Sequence, residues 1–397
     1  LKLEAILSKE FGVLPKEFGV GGIGKTNGQV VFQLGDYIEY HQDFKASRDK
    51  FENIRESLDQ YIKSQISKPN DEIDPAPQEL QRYLESKADA LKKLQNHVLN
   101  SQLSKPNTAI DYLYRLNGDF SVVSPVNDSM AYFQQTLALD ILEKQRQGKN
   151  QEAREMLKVS WQINQFLKNY SDLPNQPLVL MIDGFQTGVI RKVDNLSPDW
   201  QERLLVYDYR SSILKTIDEW LLSTYNFTRN LDWYRDNRYT GVRNFTILVL
   251  ISSNPLSKPY LRLSAVNYYK TMTQELKGLP TRNVCSPEEK VTTHLAWWNI
   301  IGISNFPLDF ASEELEAAKY MLELELTQKI LQVKELAKQQ GKWPDSFPNL
   351  DSKFCPDRQY VYQVSEDGTM TISLDKQPEW AKDRDLPLTY SDRTPPK

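Results

Sequence analysis

Apolar residues recur at three- and four-residue steps along most of this chain, which is the spacing of an amphipathic α-helix. The clearest case is residues 131–170, where two such stretches meet at the turn 147–150. The apolar positions are Phe133, Leu137 and Ile141 before the turn and Ala153, Leu157, Trp161 and Phe166 after it. Because helices of this length need tertiary packing to be stable, the pattern predicts a helical hairpin inside a larger helical body.

Further helices are predicted on both sides of this hairpin. Residues 78–99 show the same apolar spacing, and the proline- and acid-rich segment 69–77 predicts a linker before them. Helices are also predicted over residues 177–193 and 259–276. The tripeptide Ser197-Pro198-Asp199 is typical of a helix start and predicts a helix that runs to about residue 223.

The longest predicted helix begins at Ser312 and ends before Gly341 and Pro344. Its apolar stripe consists of Leu315, Ala318, Leu322, Leu326, Ile330, Val333 and Ala337. Beyond it, residues 359–364 and 369–374 flank the pair Asp367-Gly368, which predicts a β-hairpin.

These patterns predict a mainly α fold of irregularly packed helical hairpins with a small C-terminal β-hairpin appendage. Residues 1–29 are expected to form a helix close to an anchor and a glycine-rich linker, and residues 30–310 the helical body. Residues 311–397 are expected to contain the long helix, the β-hairpin module and a tail of disordered character.

Composition narrows the function classes. Charged residues make up 26 % of the 397 residues and the net charge is -4, with basic and acidic residues interspersed, so nucleic acid is not the expected partner. No apolar run is long enough to cross a bilayer. Because the chain starts at Leu1, we expect that a secretory signal or a membrane anchor precedes it and that the protein is extracytoplasmic and membrane-tethered through that segment.

The two cysteines, Cys285 and Cys355, lie outside any metal-binding or redox motif. They are either two idle thiols or one structural disulfide of an exported protein. A disulfide would tie the loop after Pro280 to the C-terminal module.

A phosphate-binding motif occurs near the start, where Gly19, Gly24, Lys25 and Thr26 match G-x-x-x-x-G-K-[ST]. In a nucleotide-binding domain such a loop follows a buried strand and opens a helix. The segment 177–183 could supply the acidic strand of such a site. However, residues 15–18 cannot form the preceding strand, and β-like residues 29–34 follow the motif. A flexible loop is the preferred interpretation, and a nucleotide-binding switch remains the alternative.

Other catalytic patterns are missing from the sequence. The three histidines, His41, His97 and His294, have no second ligand at helical spacing, so no metal or cofactor is expected. Glu323 and Glu325 lie two residues apart on the long helix, and we expect both to face solvent.

Aromatic residues are dense between positions 220 and 239. They include Trp220, Tyr225, Trp233, Tyr234 and Tyr239. Trp297 and Trp298 are also adjacent further along the chain. Packing between helices is the simpler explanation, and an exposed surface that stacks on sugar rings or contacts a protein is the alternative.

Four segments resemble a family of uncharacterised, membrane-anchored bacterial proteins with a helical extracytoplasmic body. They are residues 83–94, 137–157, 258–276 and 326–350, the last followed by the hairpin sequence YVYQV. The turn around Gly148 is similar to that of tetratricopeptide hairpins, although no second copy follows at a 34-residue period. The ending GKWPDSFPNL and its hairpin resemble a module of pseudopilin-like proteins. The resemblance implies export and architecture, and it brings no catalytic residues.

Taken together, the sequence predicts a non-enzymatic extracytoplasmic interaction or scaffold protein with a protein or peptide partner. A nucleotide-binding switch and a glycan-binding module are the two alternatives.

Overall fold

The computed structural model describes residues 53–100, 128–168, 176–204, 208–229, 257–278, 285, 296–299, 310–378 and 387–393. Over these residues the chain forms nine helices and three strands, which confirms a mainly α fold with a small C-terminal β element. The helices are α1 (Arg55–Ile66), α2 (Gln78–Asn100), α3 (Asp128–Arg146), α4 (Asn150–Lys168), α5 (Gln176–Lys192), α6 (Asp199–Arg203), α7 (Tyr209–Arg229), α8 (Lys258–Gly278) and α9 (Phe310–Gln340). The strands are β1 (Tyr360–Val364), β2 (Met370–Leu374) and β3 (Thr389–Asp392).

The predicted hairpin is the pair α3 and α4, which pack directly on each other. Gly148 joins them with a φ of 75°, a left-handed conformation that glycine adopts without steric cost. The amide of Gly148 donates to the carbonyl of Gln145 (3.0 Å), and the amide of Lys149 donates to the carbonyl of Lys144 (2.9 Å). These two bonds satisfy the last carbonyls of α3, so the turn ends one helix and lets the next begin at once.

Helix α5 occupies the centre of the helical body. It packs against α1, α3 and α4 and, on another side, against the long helix α9. Helix α2 lies on α4, whereas α7 pairs with α8 and also contacts α9. A helix with neighbours on several sides must bury its polar residues as well as its apolar ones, and this determines the chemistry of the interior.

The long helix α9 contributes to two apolar cores. The predicted stripe, from Ala318 to Ala337, packs on the C-terminal module together with Trp343, Phe347 and the sheet, and we call this cluster the second core. A second set of apolar residues on α9 enters the core of the helical body: Ala317, Tyr320, Leu324 and Leu331. Because α9 belongs to both cores, it joins the helical body to the C-terminal module.

The C-terminal module is a three-stranded antiparallel sheet in the order β1-β2-β3. Gly368, at a φ of 83°, forms the predicted turn between β1 and β2. The strand β3 corrects the expectation of a disordered tail, because Thr389–Asp392 pairs with β2 over its whole length. Its Tyr390 is buried in the second core, and the short stretch carried no turn signal that would predict a third strand.

The predicted helix from Asp199 to about residue 223 is wrong, since two helices occupy this region. Helix α6 has only five residues, and Ser197 bonds the side chain of Asp199 and caps no backbone amide. A new start follows at Asp208, whose carboxylate accepts the backbone amide of Ser211 at 3.0 Å. That bond is a helix N-cap, so Asp208 begins α7 as a separate helix.

Candidate functional site

A buried ion pair lies at the centre of the helical body. Lys168, at the end of α4, places its ammonium 2.9 Å from a carboxylate oxygen of Asp183 on α5, and both side chains are essentially inaccessible to solvent. Asn164, one turn before Lys168, donates to Asp183 and also to Gln186 at 2.8 Å. Burial lowers the pKa of Lys168 and raises the pKa of Asp183, while each group opposes the shift of the other.

The ion pair continues into a cluster of hydroxyl groups. Lys168 donates to the hydroxyl of Tyr209, whose ring meets that of Tyr320 edge to face at 4.9 Å. The hydroxyl of Tyr320 lies 2.8 Å from that of Thr187 on α5. Burial raises the pKa of both tyrosines well above the ordinary value, so both carry their protons at neutral pH. The cluster therefore joins α4, α5, α7 and α9 through polar contacts inside the core.

A second branch of this network joins the hairpin to α5. Gln186 donates to the hydroxyl of Ser160 at 2.7 Å, and Ser160 donates to Gln134 at 2.7 Å. One residue from each of α3, α4 and α5 thus forms a chain of hydrogen bonds. All the hydrogen bonds of such a chain form together only in one alignment of the three helices, so the chain defines that alignment.

Two cations at the end of α5 hold other parts of the chain. Arg191 donates to the hydroxyl of Thr327 (2.8 Å) and to the carbonyl of Pro387 (2.7 Å). Lys192 donates to the carbonyls of Lys68 (3.3 Å) and Asn70 in the segment that joins α1 to α2. Burial lowers the pKa of Arg191 to about 10 and that of Lys192 to about 7.

Glu325 attaches the C-terminal module to α9. Its carboxylate accepts the hydroxyl of Ser352 (2.7 Å), the backbone amide of Lys353 (2.7 Å) and the hydroxyl of Tyr360 (3.3 Å). The expectation that Glu323 and Glu325 face solvent is wrong, since each is 1 % exposed. The long helix is covered on two sides, so two residues on different faces can both be buried.

The cysteines form a disulfide, Cys285–Cys355, with a Cα–Cα distance of 5.8 Å. Of the two interpretations of the sequence, the structural disulfide is therefore confirmed and the two idle thiols are wrong. Cys355 is fully buried in the second core, and Cys285 packs against the same core. The bond therefore ties a segment between α8 and α9 to the C-terminal module.

The surface of α8 differs from this interior because it exposes large apolar side chains. Trp297 is 88 % exposed, and on α8 itself Leu263 is 56 % exposed and Tyr260 38 % exposed. We call these three residues, together with the exposed Lys270 and Lys277 of the same helix, the α8 face. Large apolar side chains with this degree of exposure are typical of contact surfaces.

Hydrogen bonds hold the Trp297 segment on α8. The side-chain amide of Asn299 donates to the carbonyl of Ser264 (2.9 Å) and to the side chain of Asn267 (2.8 Å). The hydroxyl of Tyr260 donates to the carbonyl of Trp298, and the two rings lie 6.4 Å apart. Trp297 is thus presented on a supported segment, which lowers the entropy cost of a contact made there.

The structure bears on only part of the sites expected from the sequence. The motif residues Gly19, Gly24, Lys25 and Thr26 lie outside the described residues. The helix predicted over residues 177–193 is confirmed as α5, so the alternative use of residues 177–183 as an acidic strand is wrong. Asp183 pairs with Lys168. In the sequence, the position of Asp183 directly after the apolar run 178–182 was the one indication that this carboxylate is buried.

The aromatic cluster is described only in part. Trp233, Tyr234, Tyr239 and the side chain of Trp220 lie outside the described residues. Tyr225 is partly buried against the core of the helical body and lies 6.3 Å from the ring of Tyr269. It therefore has the packing role, and the more exposed aromatic residue, Trp297, lies elsewhere on the surface.

The described residues carry neither a metal cluster nor a helical membrane span. No group of three or more metal-binding side chains occurs among them. None of their helices combines the length and the apolar character that a bilayer crossing requires.

Comparison with known proteins gave no relative: no protein-family model, no curated protein and no solved structure matches this sequence.

Proposed function

We propose that this protein is a non-enzymatic extracytoplasmic interaction or scaffold protein, and that the α8 face binds a protein or peptide partner. The observation that carries the proposal is Trp297, an 88 % exposed tryptophan on a hydrogen-bonded segment beside Leu263 and Tyr260. Tryptophan and tyrosine are enriched among the hot-spot residues that contribute most of the binding energy of protein interfaces. The buried charged residues described above serve packing between helices, and so they do not compete with this assignment.

The disulfide supports the proposed compartment. Structural disulfides persist in oxidising environments such as the periplasm or an equivalent lumen, and Cys285–Cys355 joins two parts of the fold. Membrane tethering, and membership of the bacterial family that the sequence resembles, are parts of the same proposal.

Site-specific photocrosslinking tests the proposed surface. A photoreactive phenylalanine analogue at Trp297 retains an aromatic ring there, and the same analogue at the exposed Lys92 of α2 is the matched control. We expect a discrete protein adduct from position 297 in cells that express the protein, and none from position 92. No adduct at 297, or the same adducts from both positions, would overturn the proposal.

A further inference from the structure

The α8 face has a regular arrangement of charge. Leu263, Lys270 and Lys277 are seven residues apart, so they lie along one side of the helix at intervals of about 10 Å. Trp297 and Tyr260 border the Leu263 end of this row, because residues 298 and 299 bond to the same part of α8. The face therefore has an apolar end followed by two ammonium groups in line.

The sign of the charge is opposite to that of the whole chain. The net charge of the protein is -4, yet the exposed charged side chains described on α8 are Arg262, Lys270 and Lys277, all basic. None of the three forms an ion pair with a described residue. Lys277 also suits the negative end of the helix dipole, whereas Lys270 lies two turns earlier, where that effect has faded.

We infer that the α8 face binds an extended acidic segment of a partner protein. An apolar side chain of the segment contacts Trp297 and Leu263, and two carboxylates face Lys270 and Lys277. An interval of about 10 Å equals roughly three residues of extended chain, so the segment has the pattern apolar-x-x-acid-x-x-acid. This inference rests on the proposed function and specifies the chemistry of its partner.

A membrane surface fits the same residues less well. A helix that lies in a bilayer interface buries a wide apolar face. On α8 that face packs into the core through Leu261, Ala265, Tyr268 and Met272. Among the side chains that the structure describes here, one leucine and two aromatic rings remain outside, which is enough for one side chain of a peptide.

Fluorescence anisotropy with a defined peptide tests the inference. The probe is a fluorescein-labelled Gly/Ser peptide with one phenylalanine and two glutamates in that pattern, and its counterpart has lysines in place of the glutamates. We expect saturable binding of the glutamate probe, weakened by salt, and none of the lysine probe. Trp297→Ala should weaken binding about 30-fold, and the double change Lys270→Glu/Lys277→Glu about tenfold. The control Lys92→Glu/Lys93→Glu, an equal charge reversal on α2, should leave binding unchanged.

The outcomes separate the inference from the proposed function. The inference of an acidic partner would be overturned if the peptide does not bind, or if the Lys270/Lys277 reversal leaves its binding unchanged. It would also be overturned if the control reversal reduces binding equally. Each of these results would count even if position 297 gives a photocrosslink. If the protein binds phosphatidylglycerol vesicles but not the peptide, and these same variants abolish vesicle binding, the face would be assigned to a membrane and the inference would be overturned. All variants change exposed side chains, and circular dichroism melting verifies that they fold.

Discussion

At the scale of single residues, the interior depends on charges that neutralise one another. Lys168 and Asp183 are both removed from water and lie 2.9 Å apart. Taking either ion out of water costs several kcal/mol, and their attraction offsets this only while both are present. The pair therefore adds little net stability as a unit, but the loss of one member leaves an uncompensated charge in the core.

We predict that Asp183→Ala lowers the free energy of unfolding by about 3–5 kcal/mol, because it strands the Lys168 ammonium. The double variant Lys168→Met/Asp183→Leu should recover most of that loss, since no charge stays buried. Asp199→Ala is the matched control, because its ion pair with Arg203 is on the surface, and it should change stability by less than about 1 kcal/mol. Guanidinium unfolding measures all three. Equal losses in Asp183→Ala and Asp199→Ala would contradict the prediction.

Lys192 gives a prediction for the pH dependence of stability. Burial lowers its pKa to about 7 in the folded protein, well below the ordinary lysine value of 10.5. Between these two values the unfolded chain binds more protons, so stability rises with pH. The penalty for the buried ammonium is fully present below about pH 7 and is gone above the ordinary value. Relative to Lys192→Met, the wild-type free energy of unfolding should therefore increase from about pH 6 to about pH 9, by at most about 1.4 kcal/mol per pH unit.

Urea titrations of both proteins at each pH measure this difference and cancel the titration of the other groups. The exposed Lys93→Met provides the control, with no pH-dependent difference expected. A difference that is flat or falls with pH would show that Lys192 stays charged in the folded protein through its bonds to backbone carbonyls.

At the scale of elements, α9 organises the C-terminal half. Its stripe from Ala318 to Ala337 packs on the sheet, and its other apolar residues pack on the helical body. Two polar residues on α9 complete the attachment of the module. Glu325 accepts three hydrogen bonds from the segment before and within β1, and Lys329 donates to the carbonyl of Asn349 at 2.6 Å.

We predict that Glu325→Ala loosens the module without unfolding the helical body. The change removes the acceptor of the Lys353 amide and of the buried Ser352 hydroxyl, and it leaves the Tyr360 hydroxyl only its longer bond to the carbonyl of Leu322 (3.4 Å). The loss is about 1–3 kcal/mol for a buried group without an acceptor. Hydrogen exchange should accelerate in residues 350–364 and stay unchanged in α3 and α4. Glu335→Ala is the control on the same helix, since Glu335 accepts a hydrogen bond from Gln339 at the surface. Uniform acceleration over all helices would contradict a local role.

At the scale of the whole molecule, a buried arginine and the disulfide join distant parts of the chain. Arg191 on α5 reaches both Thr327 on α9 and the carbonyl of Pro387 before β3. The disulfide closes a loop across 70 residues between Cys285 and Cys355. A cross-link of that span restricts the unfolded chain more than the folded one.

We predict that Cys285→Ala/Cys355→Ala lowers the free energy of unfolding by about 2–4 kcal/mol, because the unfolded chain regains its loop entropy. Reduction of the wild type should cause the same loss, and the reductant should have no effect on the double variant. Thermal unfolding with and without dithiothreitol measures both. Two titratable thiols in the denatured but unreduced protein would refute the bond.

Much of the fold was predictable because helices and turns depend on residues that are close together in the sequence. The hairpin of α3 and α4, the long α9 and the turn at Gly368 each depend on residues within a few positions of one another. Apolar spacing and turn residues therefore sufficed to locate them. The same local rules also gave a wrong prediction. The helix that starts at Ser197-Pro198-Asp199 is α6, which has only five residues and does not run to about residue 223.

The sequence by itself determined where the helices lie and that their apolar faces must pack together. Only the tertiary structure decided which polar residues are buried and with whom. Lys168 and Asp183 come from different helices, and Glu325 meets Ser352 from 27 positions away. Apolar periodicity reports which side of a helix avoids water, but it does not report which helix covers that side. For the same reason, the adjacent pair Trp297-Trp298 could be singled out in the sequence, but only the tertiary structure decided that Trp297 remains outside the core.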